Sequence, residues 1–575
     1  MVLSDYLTLF LYLIGVFGIG RVFSRRAGDH KEMFAAGRRS PWWAAGLSSF
    51  MTMFSAGTFV VWGGIAYRLG FVAVMINTCY GIAALLAGYF VAGKWNQLGV
   101  ATPAEYVRLR FGVTGLHFFT WTMLLKRLLG VSVSLYSLGI LLVALVPLQE
   151  GAPFRDPSTG YLSFTWAVIF FGIVVVVYTM LGGLWAVLMT DVLQFIVLTV
   201  VVLLVAWLTI SLMDGINAYI DAVPPDFFSP VAEGYGWLFL MGWVIIHFFM
   251  IGAEWAFVQR FLAVNSPSEA RKSSYLFGAM YLVTPIFWLL PPLLYRGINP
   301  DAAPEQAYIL SAQAVLPPGL LGLMFAAMFS ATASMVSSQL NVFAGVLTLD
   351  FYKAMLRPKA TNSNLVAVGR FFTIFLGALL VTVAVFVPHL GGAEKLIIAV
   401  NSLLVVPLFA PTLWGLFSRR IGVQDMWFVA LLSFSLGAFL KFGIIGQRWF
   451  SSVESFRPFS ELIRNHPKNV EVLVGVLLPL IVLTVLEWSR SKTDEGWTAL
   501  EEQHKVARKT VSAETLETSN DPVPGQIVLA SLGGCSVALI ALNAASEDKE
   551  GIVIVFAVAL LLIGLALRSR LSGRQ

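Results

Sequence analysis

Tyr178-Thr179-Met180-Leu181-Gly182-Gly183-Leu184-Trp185-Ala186-Val187-Leu188-Met189-Thr190-Asp191-Val192-Leu193-Gln194 is the stretch that decides the fold. After the Gly-Gly pair the chain stays apolar to residue 208, long enough to cross a bilayer. Asp191 lies inside that run, about ten Å from the turn at ~1.5 Å per residue. A carboxylate there is costly unless it pairs, faces water or binds a cation. A charge near a helix end can also reach the interface. The depth of Asp191 argues instead for a functional carboxylate.

Composition agrees with this reading. Hydrophobic residues make up 58% of the chain and charged residues 12%, with a mean hydropathy of +0.80. That much apolar surface implies an all-α polytopic membrane protein. The 575 residues carry apolar runs almost end to end, so the expectation is one large membrane unit. Cys79 and Cys535 are the only cysteines, and both sit in apolar runs. They offer neither a disulfide framework nor a zinc site. The net charge of +6 reads as cytoplasmic anchoring and not as nucleic-acid binding. The first apolar run has no basic stretch before it and no A-x-A site after it, so it reads as a helix and not a cleaved signal peptide.

About 15 candidate spans follow, near 4–23, 43–67, 69–93, 114–146, 160–182, 184–208, 236–259, 273–296, 313–349, 366–388, 395–418, 424–446, 470–488, 526–545 and 551–568. No period-2 alternation supports strands. The first loop holds Arg25, Arg26, Lys31, Arg38 and Arg39, which places it in the cytoplasm and the N-terminus outside. The loop 209–235 holds Asp214, Asp221, Asp226 and Glu233 without Lys or Arg, as an outside loop should. Lys353, Arg357, Lys359, Arg419, Arg420, Arg568, Arg570 and Arg574 then fall inside, and the C-terminus is cytoplasmic. The expected location is the cell membrane.

The polar stretch 489–524 reads as a cytoplasmic linker, partly helical or disordered. The expected organisation is a helix and basic loop at 1–42, a core at 43–208 and 236–418 around the loop 209–235, two further core helices at 419–488, the linker at 489–525, and an appended helical hairpin at 526–575.

Two spans look interrupted. One contains Met51-Thr52-Met53-Phe54-Ser55-Ala56-Gly57-Thr58 and then Trp62-Gly63-Gly64; the other contains Met250-Ile251-Gly252-Ala253-Glu254-Trp255. They lie five spans apart and so enter from opposite sides. Paired interrupted helices in two inverted halves point to a transporter site near the midplane, although small residues also serve close helix packing. Freed carbonyls can coordinate Na⁺, and half-helix ends can orient a solute. Ser330, Thr332, Ser334, Ser337 and Ser338 give one span five hydroxyls within nine positions. Hard cations want such oxygens; serine as interhelical glue is the other reading.

The chain resembles the sodium:solute symporter family. The match rests on Phe34-Ala35-Ala36-Gly37-Arg38 leading to Pro41-Trp42-Trp43-Ala44-Ala45-Gly46-Leu47-Ser48; on the Tyr-Thr…Gly-Gly-Leu-x-Ala-Val…Thr-Asp…Gln signature around Asp191; on Gln259-Arg260-Phe261-Leu262-Ala263; and on the serine-rich span ending Thr348-Leu349-Asp350-Phe351-Tyr352. It covers about residues 1–490. The resemblance implies a leucine-transporter-like fold of two inverted five-helix repeats, the first at 43–208 and the second at 236–418, with interrupted first helices, plus one N-terminal and several C-terminal helices. It implies a sodium site formed by the carbonyls of Met51, Phe54 and Ala331 with the hydroxyl of Ser334. The family's next position is usually a second hydroxyl residue, and this chain has Met335 there. A register slip of four would use Ala327 and Ser330, and Ala331 then also lacks the hydroxyl. A further sodium site of some members would match Ser337, Ser338 and Asp191. Family position suggests solute contacts at Gly57, Thr58, Glu254 and Trp255.

The expected function is therefore sodium-coupled uptake of a small organic solute (sugar, amino acid or carboxylate), with Na⁺ as coupling ion and no other cofactor. The expected partners are the solute, Na⁺ and the lipid bilayer, with no nucleic acid and no obligate protein. Met335 keeps open proton coupling through Asp191 or Glu254, and a non-transporting solute sensor is a third reading. No nucleophile-base pair, phosphate loop or metal cluster suggests an enzyme. His247 is expected to bond to a neighbouring helix, and Lys126, Arg127 and Lys441 to snorkel or pair between helices.

Overall fold

The computed structural model describes residues 2–24, 40–100, 102–179, 184–213, 215–445 and 457–503, with residues 558 and 561. Among the described residues the regular elements are helices, and β-structure is limited to three isolated bridges, such as Pro147 with Tyr161. In chain order the helices are α1 (Leu3–Ser24), α2 (Trp42–Met53), α3 (Thr58–Leu69), α4 (Val72–Gln97), α5 (Pro103–Leu145), α6 (Phe164–Thr179), α7 (Leu184–Ser211), α8 (Ile216–Ala222), α9 (Trp237–Ala253), α10 (Trp255–Leu262), α11 (Pro267–Trp288), α12 (Leu290–Ile298), α13 (Ala307–Val315), α14 (Leu320–Val346), α15 (Asn362–Phe386), α16 (Ala393–Trp414), α17 (Val423–Ala438), α18 (Arg457–Asn465) and α19 (Pro467–Ser489).

Among the described residues, nine helices are long and apolar enough to cross a membrane, or up to 11 if each bent pair counts as one span. The apolar stretches Leu3–Gly15 and Phe164–Val177 are shorter. The expected count of 15 spans is neither met nor excluded by these helices. The last two, 526–545 and 551–568, lie outside the described residues, as do the basic loop 25–39 and the Gly182-Gly183 pair.

Both interruptions are present. The α2 and α3 axes meet at 62°, and the α9 and α10 axes at 55°. The causes are local. Phe54 takes extended φ/ψ (−93°, 132°) and ends α2, with its N–H on the Met51 carbonyl at 3.0 Å. Glu254 takes extended φ/ψ (−71°, 132°) and ends α9 in the same way, on the Met250 carbonyl at 2.9 Å. Thr102 caps α5 and Ser266 caps α11, each accepting the N–H of a glutamate three residues on, with proline at the first helical position.

The two broken pairs sit inside the bundle. Helix α11 packs along α2 and α4, and α9 packs along α4 and α16. Helix α14 lies against α1, α5 and α7, and its core turns from Leu320 to Ser337 are buried without a gap. Gly322 lets α1 approach α14 at Asp5. Asp5 is buried and its Oδ1 accepts the N–H groups of Gly319 and Gly322 at 2.7 and 3.0 Å. The N-terminal helix thereby caps the serine-rich one.

The polar stretch after α19 is described as far as residue 503. Residues 495–503 are helical, and the segment packs against the bundle. Asp494 pairs with buried Arg110 of α5 at 2.5 Å, and its N–H bonds to the Arg419 carbonyl at 2.8 Å. Arg110 also donates to the carbonyls of Gly415, Ser418 and Ile421. A guanidinium carries five N–H donors and no acceptor, so a buried arginine needs this many partners.

Candidate functional site

Asp191 lies near the start of α7 and is 2% exposed. Its Oδ1 accepts the hydroxyl of Ser334 on α14 at 2.6 Å. Its Oδ2 accepts the hydroxyl of Ser48 on α2 at 2.6 Å. The Arg260 guanidinium of α10 stands 4.0 Å from Oδ2 and donates through Nε to Ser48 Oγ at 3.2 Å. One buried carboxylate thus joins α7 to the serine-rich helix and to halves of both broken spans. Gln194, one turn further along α7, donates to Ser330 Oγ at 2.8 Å.

The expected site residues separate into groups. Met51 lies in the last turn of α2 and Phe54 opens the first break, while Ala331 and Ser334 are buried on α14, which packs against α2. Thr332 Oγ1, which was not singled out for a role, accepts the Ala56 N–H at 2.8 Å and so satisfies a donor freed by the break. Ser337 donates to the Ser334 carbonyl of its own helix at 3.0 Å, and Ser338 is half-buried beside it. The Asp191 carboxylate is therefore met by Ser334, one turn before the expected Ser337 and Ser338.

Gly57 and Thr58 are buried against α5. A side chain at Gly57 would meet the hydroxyls of Ser55, Ser134 and Ser137, at 3.2, 3.7 and 3.8 Å. Ser55 and Ser134 share a hydrogen bond of 3.0 Å. This hydroxyl cluster occupies the first break.

Glu254 is fully buried at the second break. Its carboxylate pairs with Lys126 Nζ at 3.1 Å and with Arg127, both on α5. Lys126 and Arg127 are thus interhelical and do not snorkel. The eight residues from Lys126 to Ser134 place Glu254 ~12 Å along α5 from the Gly57 cluster, at ~1.5 Å per residue. The four expected solute contacts do not gather at one point. Trp95 Nε1 donates to the Gly252 carbonyl at 2.7 Å and satisfies an acceptor freed by this break. His247 bonds to the Trp243 carbonyl of its own helix at 2.8 Å, not to a neighbour, and its ring sits on Tyr80. Lys441 pairs with Glu471 at 2.5 Å.

The two ends of the bundle differ. At one end Glu394, the second residue of α16, binds Arg68 of α3 at 2.7 Å, Tyr235 at 2.6 Å and Lys468 of α19 at 3.3 Å. Helix α4 leads from that end to the other. There a cavity of about 270 Å³ opens among Arg108, Leu116, Trp255, Gln259, Val346 and Leu349. Its floor reaches the second break at Trp255. Sequence reasoning missed Ser48, Arg260 and Thr332 as partners. The mid-span charges Lys126 and Arg127 carried a signal, because such charges seek a partner.

The model of the sodium:solute symporter family matches residues 33–427. A sodium/sialic acid symporter of Aliivibrio fischeri is 27% identical over 448 residues, covering 73% of this chain and 84% of the relative. A sodium/glucose cotransporter of Vibrio parahaemolyticus is 26% identical over 477 residues, covering 76% of this chain and 85% of the relative. Among solved structures, a substrate-bound, outward-open Na⁺-coupled sialic acid symporter superposes with a TM-score of 0.65 at 21% identity, covering 86% of this chain and 99% of its own.

Proposed function

From the premise that this chain belongs to the sodium:solute symporter family, we propose that it carries a small organic solute across the membrane together with Na⁺, by alternating access. The observation that carries the reading is Asp191, buried and shared by both broken spans and the serine-rich helix. A cation bound there would act on elements that must move relative to one another. At ~2.3 kcal/mol per charge per 100 mV, one Na⁺ could drive roughly fifty-fold accumulation, since each ~1.4 kcal/mol is tenfold.

The candidate ion ligands are the Asp191 carboxylate with the hydroxyls of Ser334, Ser337 and Ser338, and the Met51, Phe54 and Ala331 carbonyls beside them. Na⁺ at Asp191 would displace the Arg260 guanidinium as counter-charge. The two broken pairs support an assignment to two inverted repeats, with the N-terminus outside. The Arg68–Glu394–Lys468 network would then close the outer end, and the cavity at Trp255 would be the inner one. Proton coupling through Glu254 is disfavoured, because its carboxylate is already engaged by Lys126 and Arg127. We assign no enzymatic activity.

The test is thermal stability of the purified chain in Na⁺ against K⁺ at equal ionic strength. A ligand of the native state raises stability by mass action. A Na⁺-specific rise that shrinks in Asp191→Asn supports the reading; equal midpoints up to 0.5 M of either salt would refute it.

A further inference from the structure

The buried charges of the core do not balance. Among the described residues, buried Lys126 and Arg260 and half-buried Arg127 lie at the two breaks, against the buried carboxylates of Asp191 and Glu254; half-buried Glu305 takes the Tyr136 hydroxyl at 2.7 Å, toward the Glu394 end. The other buried charges are settled elsewhere: Arg110 with Asp494, Asp425 with Arg490, Glu471 with Lys441, and Asp5 on backbone N–H groups. One cation is left over. An unbalanced charge in an apolar interior is expensive, and it persists where a partner arrives to meet it.

Hydrogen-bond donors are in surplus at the same place. Beyond Glu254, Lys126 Nζ has only the sulfur of Met250, at 3.4 Å, a weak acceptor. Arg127 Nε and Trp255 Nε1 are buried without an acceptor. Trp255 also lines the 270 Å³ cavity, so it joins that space to the Lys126–Arg127–Glu254 cluster beside it in the second break. Sodium at Asp191 would deepen the imbalance by one further positive charge. A neutral sugar would bring hydroxyls, which donate as well as accept, and no charge. A carboxylate brings one negative charge and about four acceptor positions.

Resting on the symport reading above, we propose that the carried solute is a small organic acid, whose carboxylate is received by Lys126, Arg127 and the Trp255 indole at the second break. Glu254 is then not a solute contact. It neutralises one of the two α5 cations and leaves the other for the solute.

The test uses the full chain in detergent with matched pairs of acid and neutral parent: N-acetylneuraminate with N-acetylmannosamine, glucuronate with glucose, and lactate with propane-1,2-diol. Thermal midpoints are read in Na⁺ and in K⁺. The expected result is a rise of several degrees in Na⁺ from at least one acid and none from its neutral partner. Lys126→Met should keep the Na⁺ shift, lose the acid shift, and be at least as stable as wild type without solute. Lys126→Arg should retain the acid preference. Equal shifts from both members of a pair, a shift from neutral members alone, or no shift from any acid overturns the proposal. If Na⁺ and K⁺ do not differ at all, the symport reading fails, and this inference with it.

Discussion

Ser334 donates its hydroxyl to the Asp191 carboxylate across 2.6 Å, so the serine-rich and acidic spans meet at one buried charge. A hydrogen bond to a charged group is worth about 1.5–3 kcal/mol. Ser337 bonds only to its own helix, at the Ser334 carbonyl. Ser334→Ala should therefore lower the thermal midpoint and raise the Na⁺ concentration for half-maximal stabilisation by roughly tenfold, a change of about 1.4 kcal/mol. Ser337→Ala should change that concentration by less than about twofold. A larger effect from Ser337→Ala would move the ion one turn along α14.

Glu254 holds two cations, and its removal should cost more than theirs. Glu254→Gln leaves Lys126 and Arg127 buried without an ionised partner, a loss of about 3–5 kcal/mol. Adding Lys126→Met to Glu254→Gln removes one stranded charge and should restore part of the loss. The interaction between the two sites, read as a double-mutant cycle on chemical denaturation, should be at least about 1 kcal/mol. Additive effects would mean that the two side chains do not act as a pair.

The broken helix at Phe54 needs a partner for the backbone it releases. Thr332 supplies it by accepting the Ala56 N–H at 2.8 Å. Thr332→Val keeps the shape and strands that donor, at about 1–3 kcal/mol. Thr332→Ser keeps the hydroxyl and should behave like wild type. Amide exchange at Ala56 should quicken in the valine variant only.

How much of this was legible before the fold was known depends on separation along the chain. The spans and both breaks are local: apolar length, a Gly-rich stretch at Gly57, a glutamate at position 254. The burial of Asp191 followed from its place in an apolar run. Its partners did not follow, because Ser48 and Ser334 each lie 143 positions away. No periodicity encodes which helices meet. The same holds for Lys126 with Glu254, 128 positions apart. The docking of the polar stretch was not legible for a related reason. The stretch from Arg490 is polar in composition and so resembles a solvated tail. Its Asp494 nevertheless completes the acceptor shell of an arginine 384 positions earlier.

That last contact carries a prediction of its own. Arg110 is 1% exposed and keeps three backbone carbonyls, yet Asp494 is its ionised partner among the described residues. Arg110 lies on α5 between Arg108 and Leu116, both on the cavity wall. Gly422 and Gly496 admit the strap closely, at Asp494 and at the Arg110 backbone. Asp494→Ala leaves the guanidinium buried without a counter-ion, so the segment should detach and the bundle should lose about 1–3 kcal/mol. Limited proteolysis between Arg490 and Lys505 should accelerate severalfold in Asp494→Ala and stay slow in Asp494→Glu. The Na⁺-dependent rise in thermal midpoint should persist in both variants, because the strap lies at the cavity end and touches neither Asp191 nor Ser334. Loss of that rise together with fast cleavage would instead tie the strap to the ion site.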